Sequence, residues 1–364
     1  MNQPTELHHR PFTWLATLLI LSSLLFAACG GKPTPTLTPT DEPPTPTLEF
    51  TSTPGPTDTP SPTDTPTPQP LGSAGNPLQF GFVLASGQAV LPPAAAQLTT
   101  VLSKDTGYTI QAKPAASYRA LLAGMQDGTI HLAFLPPFTY LQANKEGEAK
   151  VLLVSNHFGV YAYGAAFMAN IFDGYTPFFD PTLEKNLGDA SQALTQFSGK
   201  RPCLVEPHSG AGYVLPLGIL NQAGITTQDA VIAQSFIAVV RALYVRQICD
   251  FGVTYAIAGD PRTASAIQTD MPDAVQKVII VWRSGAVIPN LNVSTIPQLP
   301  ADMTHKLSTA LVALAHSDDG KKQLSSAAGD YAIDDLKPIG DDFYDALRPY
   351  VTSSGTLLDN LLGN

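Results

Sequence analysis

The stretch 77–135, PLQFGFVLASGQAVLPPAAAQLTTVLSKDTGYTIQAKPAASYRALLAGMQDGTIHLAFL, decides the fold. Three short runs in it read as strands: PLQFGFVL, YTIQAKP and IHLAFL. Between the first two, Pro92 and Pro93 open a helix that carries Ala96, Leu98, Val101 and Leu102, since proline suits the first helical turn. Between the second pair, Ser117 can cap a helix carrying Leu121, Leu122 and Met125, which stops at Gly128. Strand and helix alternate, and each helix is about ten residues long. That rhythm predicts an α/β fold with a parallel sheet.

Downstream the rhythm continues. FTYLQAN begins a helix and VLLVSN reads as a strand. VYAYGAAFMAN (160–170) is a long strand leaving this first lobe. The segment 171–186 is rich in Gly, Pro, Asp and Phe and reads as a surface loop. Asp189 to Phe197 is expected to be helical. RPCLVEP is a strand that runs into the tight turn HSGAG and the helix YVLPLGILNQAG. Ile237 to Ile248 is a helix, CDFGVTYA a strand, and VQKVIIVWRSG (275–285) a second long strand. A helical C-terminal tail follows, at Ala301–Ala315, Gly320–Ala328 and Asp341–Val351. The two long strands bracket a second lobe, so the chain is expected to cross twice between lobes. Lobe 1 is residues 76–160 plus 286–364, and lobe 2 is residues 161–285. In open α/β sheets the ligand site lies in the crevice outside the carboxyl ends of the strands.

Upstream, the chain reads as an address and an anchor. Residues 1–28 have His8, His9 and Arg10 near the start, an apolar run from Trp14, and small residues at Ala27 and Ala28. The run is about fifteen residues, short of the roughly twenty that span a bilayer, which fits a signal peptide. Cys29 follows, then Gly30 and Gly31, an arrangement like a bacterial lipobox with Phe26 where leucine is usual. Cys29 is therefore the expected lipidation site, and an uncleaved signal anchor is the alternative. Either places the rest of the chain outside the cytoplasm. Residues 29–75 comprise that cysteine and a Pro/Thr-rich linker, in which proline favours extended polyproline II and a stand-off from the membrane.

The formal net charge is -10, and no run of Lys and Arg exists. A nucleic-acid partner, which requires a basic footprint, is thereby excluded. Of three cysteines, Cys203 and Cys249 each fall at a strand of lobe 2. Export permits a disulfide between them, with two free buried thiols as the alternative. No cysteine or histidine spacing suits a metal, and no cofactor is expected. His208 beside Ser209 is not a nucleophile elbow, and no metalloprotease helix or phosphate-binding loop motif occurs, so no enzyme is expected.

Taken in order, FGF-x(3)-S, TGYTI, SYRALLAGMQDG, IHLAFLPPFTY, YAYGAAFMAN, SGKRPCLVEPHSGAGYVLP and VWRSGAVIP resemble the phosphonate-, phosphite- and phosphate-binding proteins of ABC transporters. The resemblance covers nearly all of residues 78–350. It implies the two-lobed type II periplasmic-binding-protein fold with two hinge strands. In that family a Ser-Thr-Ser-Gly turn opens a helix and holds the oxyanion. The matching residues here are Ser209, Gly210, Ala211 and Gly212, with Tyr213 entering the helix. Unpaired amides at a helix start suit an anion. Two hydroxyls of the family pattern are absent, at Gly210 and Ala211, and Phe236 stands where a histidine is frequent; both departures point to a changed ligand. The resemblance further assigns Tyr118, Tyr140 and Tyr163 to the pocket wall and Asp250 to an amine or acidic proton. Ser86 adds a candidate hydroxyl. The implied partners are a small anionic solute, an ABC permease, and the membrane through the lipid, with the protein itself a monomer. The rival readings are a solute-binding lipoprotein that serves a sensor or binds a non-phosphorus ligand, and a secreted hydrolase.

Overall fold

The structure, a computed structural model, describes residues 69–362. Its first sheet grows from the stretch quoted above. β1 (Leu78–Val83) pairs in parallel with β2 (Ile110–Ala115), Leu78 opposite Ile110, and on its other edge with β3 (Leu132–Leu135). α1 (Pro93–Thr106) has its prolines at the start and ends at Gly107, whose φ of 77° lets its N–H reach the Ser103 carbonyl. α2 (Tyr118–Gln126) is capped by Ser117 Oγ, which accepts from the Ala120 N–H. α3 (Pro137–Lys145) and β4 (Lys150–Asn156) complete this half. Phe80 and Phe82, two residues apart, share a face of β1 and pack with Phe134 of β3, ring centroids 4.6 to 6.3 Å apart. Burial of each such ring contributes about 2 kcal/mol.

The second sheet has the order β11-β5-β10-β8-β9. Its members are β5 (Ala162–Asn170), β8 (Pro202–Leu204), β9 (Val231–Ile232), β10 (Phe251–Ala256) and β11 (Val278–Arg283). A small hairpin of β6 (Phe179–Asp180) and β7 (Lys185–Asn186) lies where the sequence suggested only a loop. The helices of this half are α4 (Ala190–Leu194), α5 (Leu215–Gln222), α6 (Phe236–Val245), α7 (Ser265–Asp270) and α8 (Ala274–Lys277). Phe197 and Phe251 stack at 4.1 Å and 9°, with Phe167 6.5 Å from each. On the opposite face a disulfide joins Cys203 to Cys249, their Cα atoms 5.6 Å apart. β8 and β10 are paired neighbours, which brings the two cysteines within bridging range.

The chain then returns through β12 (Ile288–Pro289) to the first sheet, where it adds β13 (Asn292–Thr295), α9 (Ala301–Ala315), α10 (Asp318–Ala327), β14 (Asp335–Pro338) and α11 (Arg348–Ser354). The first sheet reads β14-β4-β13-β3-β1-β2. It is mixed rather than wholly parallel, because β13 runs antiparallel between β3 and β4. β13 and β14 thus stand as two strands within the tail read as helical. The segment NVST is polar yet buried, so its pattern hid it. Its burial is made possible by Asn292 Nδ2, which donates to the Leu135 carbonyl at 2.7 Å and the Tyr344 hydroxyl at 2.9 Å, and by Ser294 Oγ, which donates to Asn292 Oδ1 at 2.6 Å.

The two connections between the sheets run side by side. β12 pairs antiparallel with β5, Ile288 opposite Tyr163, and the Asn290 N–H donates to the Tyr161 carbonyl at 3.0 Å. Asn290 Nδ2 ties the same strands by donating to the Val160 carbonyl at 2.7 Å. The last helix, which the expected division left with lobe 1, packs against the second half as well. α11 lies on α5 of the second half: Asn221 Nδ2 donates to the Ser353 carbonyl at 2.8 Å, and a Cβ at Gly218 would stand 2.2 Å from the Tyr350 carbonyl oxygen. Only glycine at 218 admits so close a backbone. Beyond α11, Asp359 accepts from Arg119 on α2 at 2.6 Å, so the tail touches both halves. The expected signal peptide, the expected lipidation site Cys29 and the expected linker up to residue 68 lie outside the described residues. Among the described residues no helix is long and apolar enough to cross a membrane.

Candidate functional site

Strand β8 ends and the chain turns through Glu206–His208 into Ser209. There the backbone is extended, and Ser209 Oγ accepts from the Gly212 N–H at 3.1 Å. The next turn, Gly210–Val214, is a wide π turn whose Tyr213 and Val214 N–H groups both reach the Ser209 carbonyl. Such turns recur at functional sites. The Gly210 and Ala211 amides stand in the first turn, where no intrahelical carbonyl is within reach, and both residues face a cavity of about 470 Å³.

That cavity draws walls from both halves. From the first come His157 and Phe158, in the turn after β4, and Tyr331, in the loop before β14. The crossing strands supply Tyr163 and Asn290. From the second come Ser209, Gly210 and Ala211, Phe236 at the start of α6, and Tyr255 and Ala258 at the end of β10. The walls carry no Lys, Arg, Asp or Glu. Burial raises the hydroxyls of Tyr163, Tyr255 and Tyr331 above the usual tyrosine range, so they stay protonated as neutral donors. His157 Nδ1 lies 2.7 Å from the Ala332 carbonyl, which only a protonated Nδ1 satisfies. Two other cavities of about 380 and 390 Å³ belong to the second half alone. One surrounds Arg201, Arg246 and Asp250, the other Met168, Arg262 and Arg283. Neither contains the Ser209 turn nor a residue from the first half.

The structure brings together four of the expected residues: Tyr163, Ser209, Gly210 and Ala211. Gly212 stands behind them, where a Cβ would come within 2.7 Å of Val205. Tyr213 is half-buried beside the turn, Tyr118 half-buried at the start of α2, and Ser86 exposed after β1; none of the three lines the cavity. Two expectations are corrected. Tyr140 is fully buried in the first half, its ring 4.4 Å from Tyr344 and its hydroxyl donating to Asp341 Oδ1 at 2.7 Å. Helical phase points it inward rather than at the cleft. Asp250 precedes β10, whereas Tyr255 at the strand's far end lines the cavity; five residues at ~3.3 Å each separate them by about 17 Å. Its carboxylate accepts instead from the Arg201 N–H at 2.7 Å. Sequence reading missed His157, Phe158, Tyr255, Ala258, Asn290 and Tyr331. Of these only HFG at 157–159, a bulky residue before glycine just ahead of the crossing strand, carries a local signal of a tight turn.

A model of the periplasmic substrate-binding protein of phosphonate ABC transporters matches residues 80–344. The phosphate-import protein PhnD of Mycolicibacterium smegmatis is 27% identical over 131 residues, which is 35% of this chain and 36% of that protein. The match thus spans about a third of that relative. Among solved structures, XAC2383 from Xanthomonas citri bound to chloride aligns with a TM-score of 0.55 at 15% identity, over 78% of this chain and 99% of that one. The same protein bound to ATP aligns at 0.54 and 15% identity, over 76% and 96%. At such identity the likeness is one of fold.

Proposed function

Because this chain belongs to the family of periplasmic substrate-binding proteins of phosphonate ABC transporters, we propose that it binds a small phosphorus oxyanion in the cavity between its two sheets and passes it to a membrane permease. The observation that carries this reading is the Ser209 turn. A hydroxyl and two first-turn amides, at Gly210 and Ala211, converge on one cavity, and such a helix start favours negative charge. The relative that imports phosphate agrees in ligand class. Binding without chemistry is the reading in keeping with a family of substrate-binding proteins.

The mechanism is a hinged clamp. The paired strands at Tyr163 and Ile288 form the axis, and lobe 2 (residues 161–285) closes on lobe 1. A solute that touches both halves stabilises the closed form by its differential affinity, and that form docks the permease. The protein works outside the cytoplasm, held by a lipid on Cys29 and spaced from the membrane by the Pro/Thr-rich linker.

Calorimetry on the full chain in detergent against phosphate, phosphite, methylphosphonate and 2-aminoethylphosphonate tests the ligand class. Ligand at a hundred times its Kd adds about 2.7 kcal/mol of stability. Ser209→Ala then weakens binding of the responding compound by roughly tenfold or more, as expected for a lost hydrogen bond to a charged group. No response to any phosphorus compound removes the assignment. Cys29→Ser, compared with wild type for partition into the membrane fraction, tests the anchor: equal retention excludes the lipid.

A further inference from the structure

The cavity is walled by rings rather than charges. Six of its eleven lining residues carry an aromatic or imidazole ring, and none is a lysine or arginine. A bare oxyanion held at the Ser209 turn would leave those rings without a partner. It would also fill little of the space. A tetrahedral oxyanion displaces on the order of 80 Å³, two to three waters at ~30 Å³ each, against about 470 Å³ available.

The rings form two groups. On one side His157 stacks on Tyr331 at 4.1 Å and 17°, with Phe158 4.2 Å from His157. On the other, Phe236 meets Tyr255 edge to face at 5.0 Å and 89°. Phe158 stands apart energetically. It is 67% exposed, and its φ is 50°. With Gly159 at 85° it forms a tight reversal closed by the His157 N–H on the Val160 carbonyl at 2.8 Å. Asn before Gly is usual in such a reversal; a bulky ring there is strained. The Phe158 N–H, donating to Asp334 Oδ2 at 2.8 Å, holds it in place. An exposed ring kept in a costly backbone conformation on a cavity wall marks function more than packing.

The oxyanion end is correspondingly reduced. Where the family turn carries a second hydroxyl this chain has Gly210, and the ring of Phe138 occupies the space, 2.9 Å from where a Cβ would be.

Building on the phosphorus-oxyanion reading above, we infer that the ligand carries a flat aromatic or heteroaromatic ring on its oxyanion group. The oxyanion meets Ser209 and the amides of Gly210 and Ala211, and the ring packs between Phe158 and the Phe236–Tyr255 pair. Offset or edge contacts between rings raise affinity by roughly two- to tenfold beyond area burial.

Titration calorimetry on the full chain in detergent with phenylphosphonate, methylphosphonate and phosphocholine tests the inference. Phenylphosphonate is expected to bind about tenfold or more tighter than methylphosphonate, since a buried ring adds at least that factor. Phe158→Ala removes most of that gap, weakening phenylphosphonate about tenfold more than methylphosphonate, whereas Phe158→Trp preserves it. Methylphosphonate binding as tightly as phenylphosphonate overturns the ring inference and leaves the oxyanion reading standing. Phosphocholine binding tightest assigns the rings to a cation and overturns it equally. Silence from all three phosphorus compounds overturns the oxyanion reading and this inference with it.

Discussion

Gly210 and Phe138, from different halves of the molecule, are in contact: a Cβ on Gly210 would stand 2.9 Å from Phe138 Cε2 and 3.3 Å from Ile288 Cδ1. Phe138 is nearly buried, so its ring has little freedom to withdraw. The contact ties the absence of a side chain at 210 to the approach of the two halves.

Gly210→Ser, which restores the hydroxyl of the family turn, is therefore expected to weaken ligand binding by roughly tenfold or more instead of strengthening it. The added atoms need space that closure removes, and overpacking costs about 1 to 3 kcal/mol. Phe138→Ala in the same chain relieves the clash, so the double variant binds better than Gly210→Ser alone. Calorimetric titration of both variants checks the coupling; equal affinities for the single and double variants break the link.

Tyr140 and Asp250 stand apart from the cavity, and their removal separates site from scaffold. Tyr140→Phe loses the hydroxyl that donates to Asp341 and is expected to lower stability by about 1 kcal/mol while ligand affinity stays within about twofold. Asp250→Asn leaves affinity equally unaffected, because its carboxylate serves the Arg201 amide. A tenfold loss of binding in either variant would return that residue to the site.

The Cys203–Cys249 bond spans 46 residues of sequence. On the chain-entropy account, closing such a loop contributes about 4 kcal/mol. Reduction, or Cys203→Ser with Cys249→Ser, is expected to lower the urea midpoint while the cavity, built at the other end of β10, retains its ligand affinity. An unchanged midpoint would mean that the bond adds no net stability.

Alkaline pH reaches the fold through its tyrosines. Burial holds Tyr163, Tyr140 and Tyr344 above the ordinary value near 10 and pushes Tyr175 up to about 12, with Asp250 and Asp173 adding to the last. Between pH 10 and those raised values the unfolded chain has lost protons that the folded chain keeps. Stability is therefore complete below pH ~10 and falls as pH rises towards 12 and beyond. Urea midpoints at pH 8, 9, 10 and 11 are expected to hold through 9 and decline by 11. A level profile to pH 11 would show these hydroxyls to be open to water.

Much of this molecule was legible from residue order. Pro92, Pro93 and Ser117 mark helix starts, and Gly128 marks a stop through the left-handed conformation it adopts without strain. The long strand near residue 160 marks the way out of the first half, whereas the strand near residue 280 stays within the second sheet and the return runs through β12. Ser209 before two small residues marks the turn that opens a helix. These are local signals, set by backbone sterics and by the period of apolar side chains. β13 was not legible, since Asn292 and Ser294 are polar: Asn292 is buried because the Leu135 carbonyl and the Tyr344 hydroxyl, far away in sequence, accept from its Nδ2, and Ser294 in turn donates to Asn292. The cavity wall divides in the same way. Tyr163 and the Ser209 turn were found from motif, whereas Tyr331, Asn290 and Tyr255 reach one cavity from three separate segments, and Tyr140, in a matching motif, turns into the core. Sequence by itself determined most of the elements and the alternation behind the two-lobed α/β plan, because these depend on neighbours within a few residues. Only the tertiary structure decided which rings face the ligand, because a side chain's partner across a cleft is chosen by packing between distant segments and leaves no periodic trace along the chain.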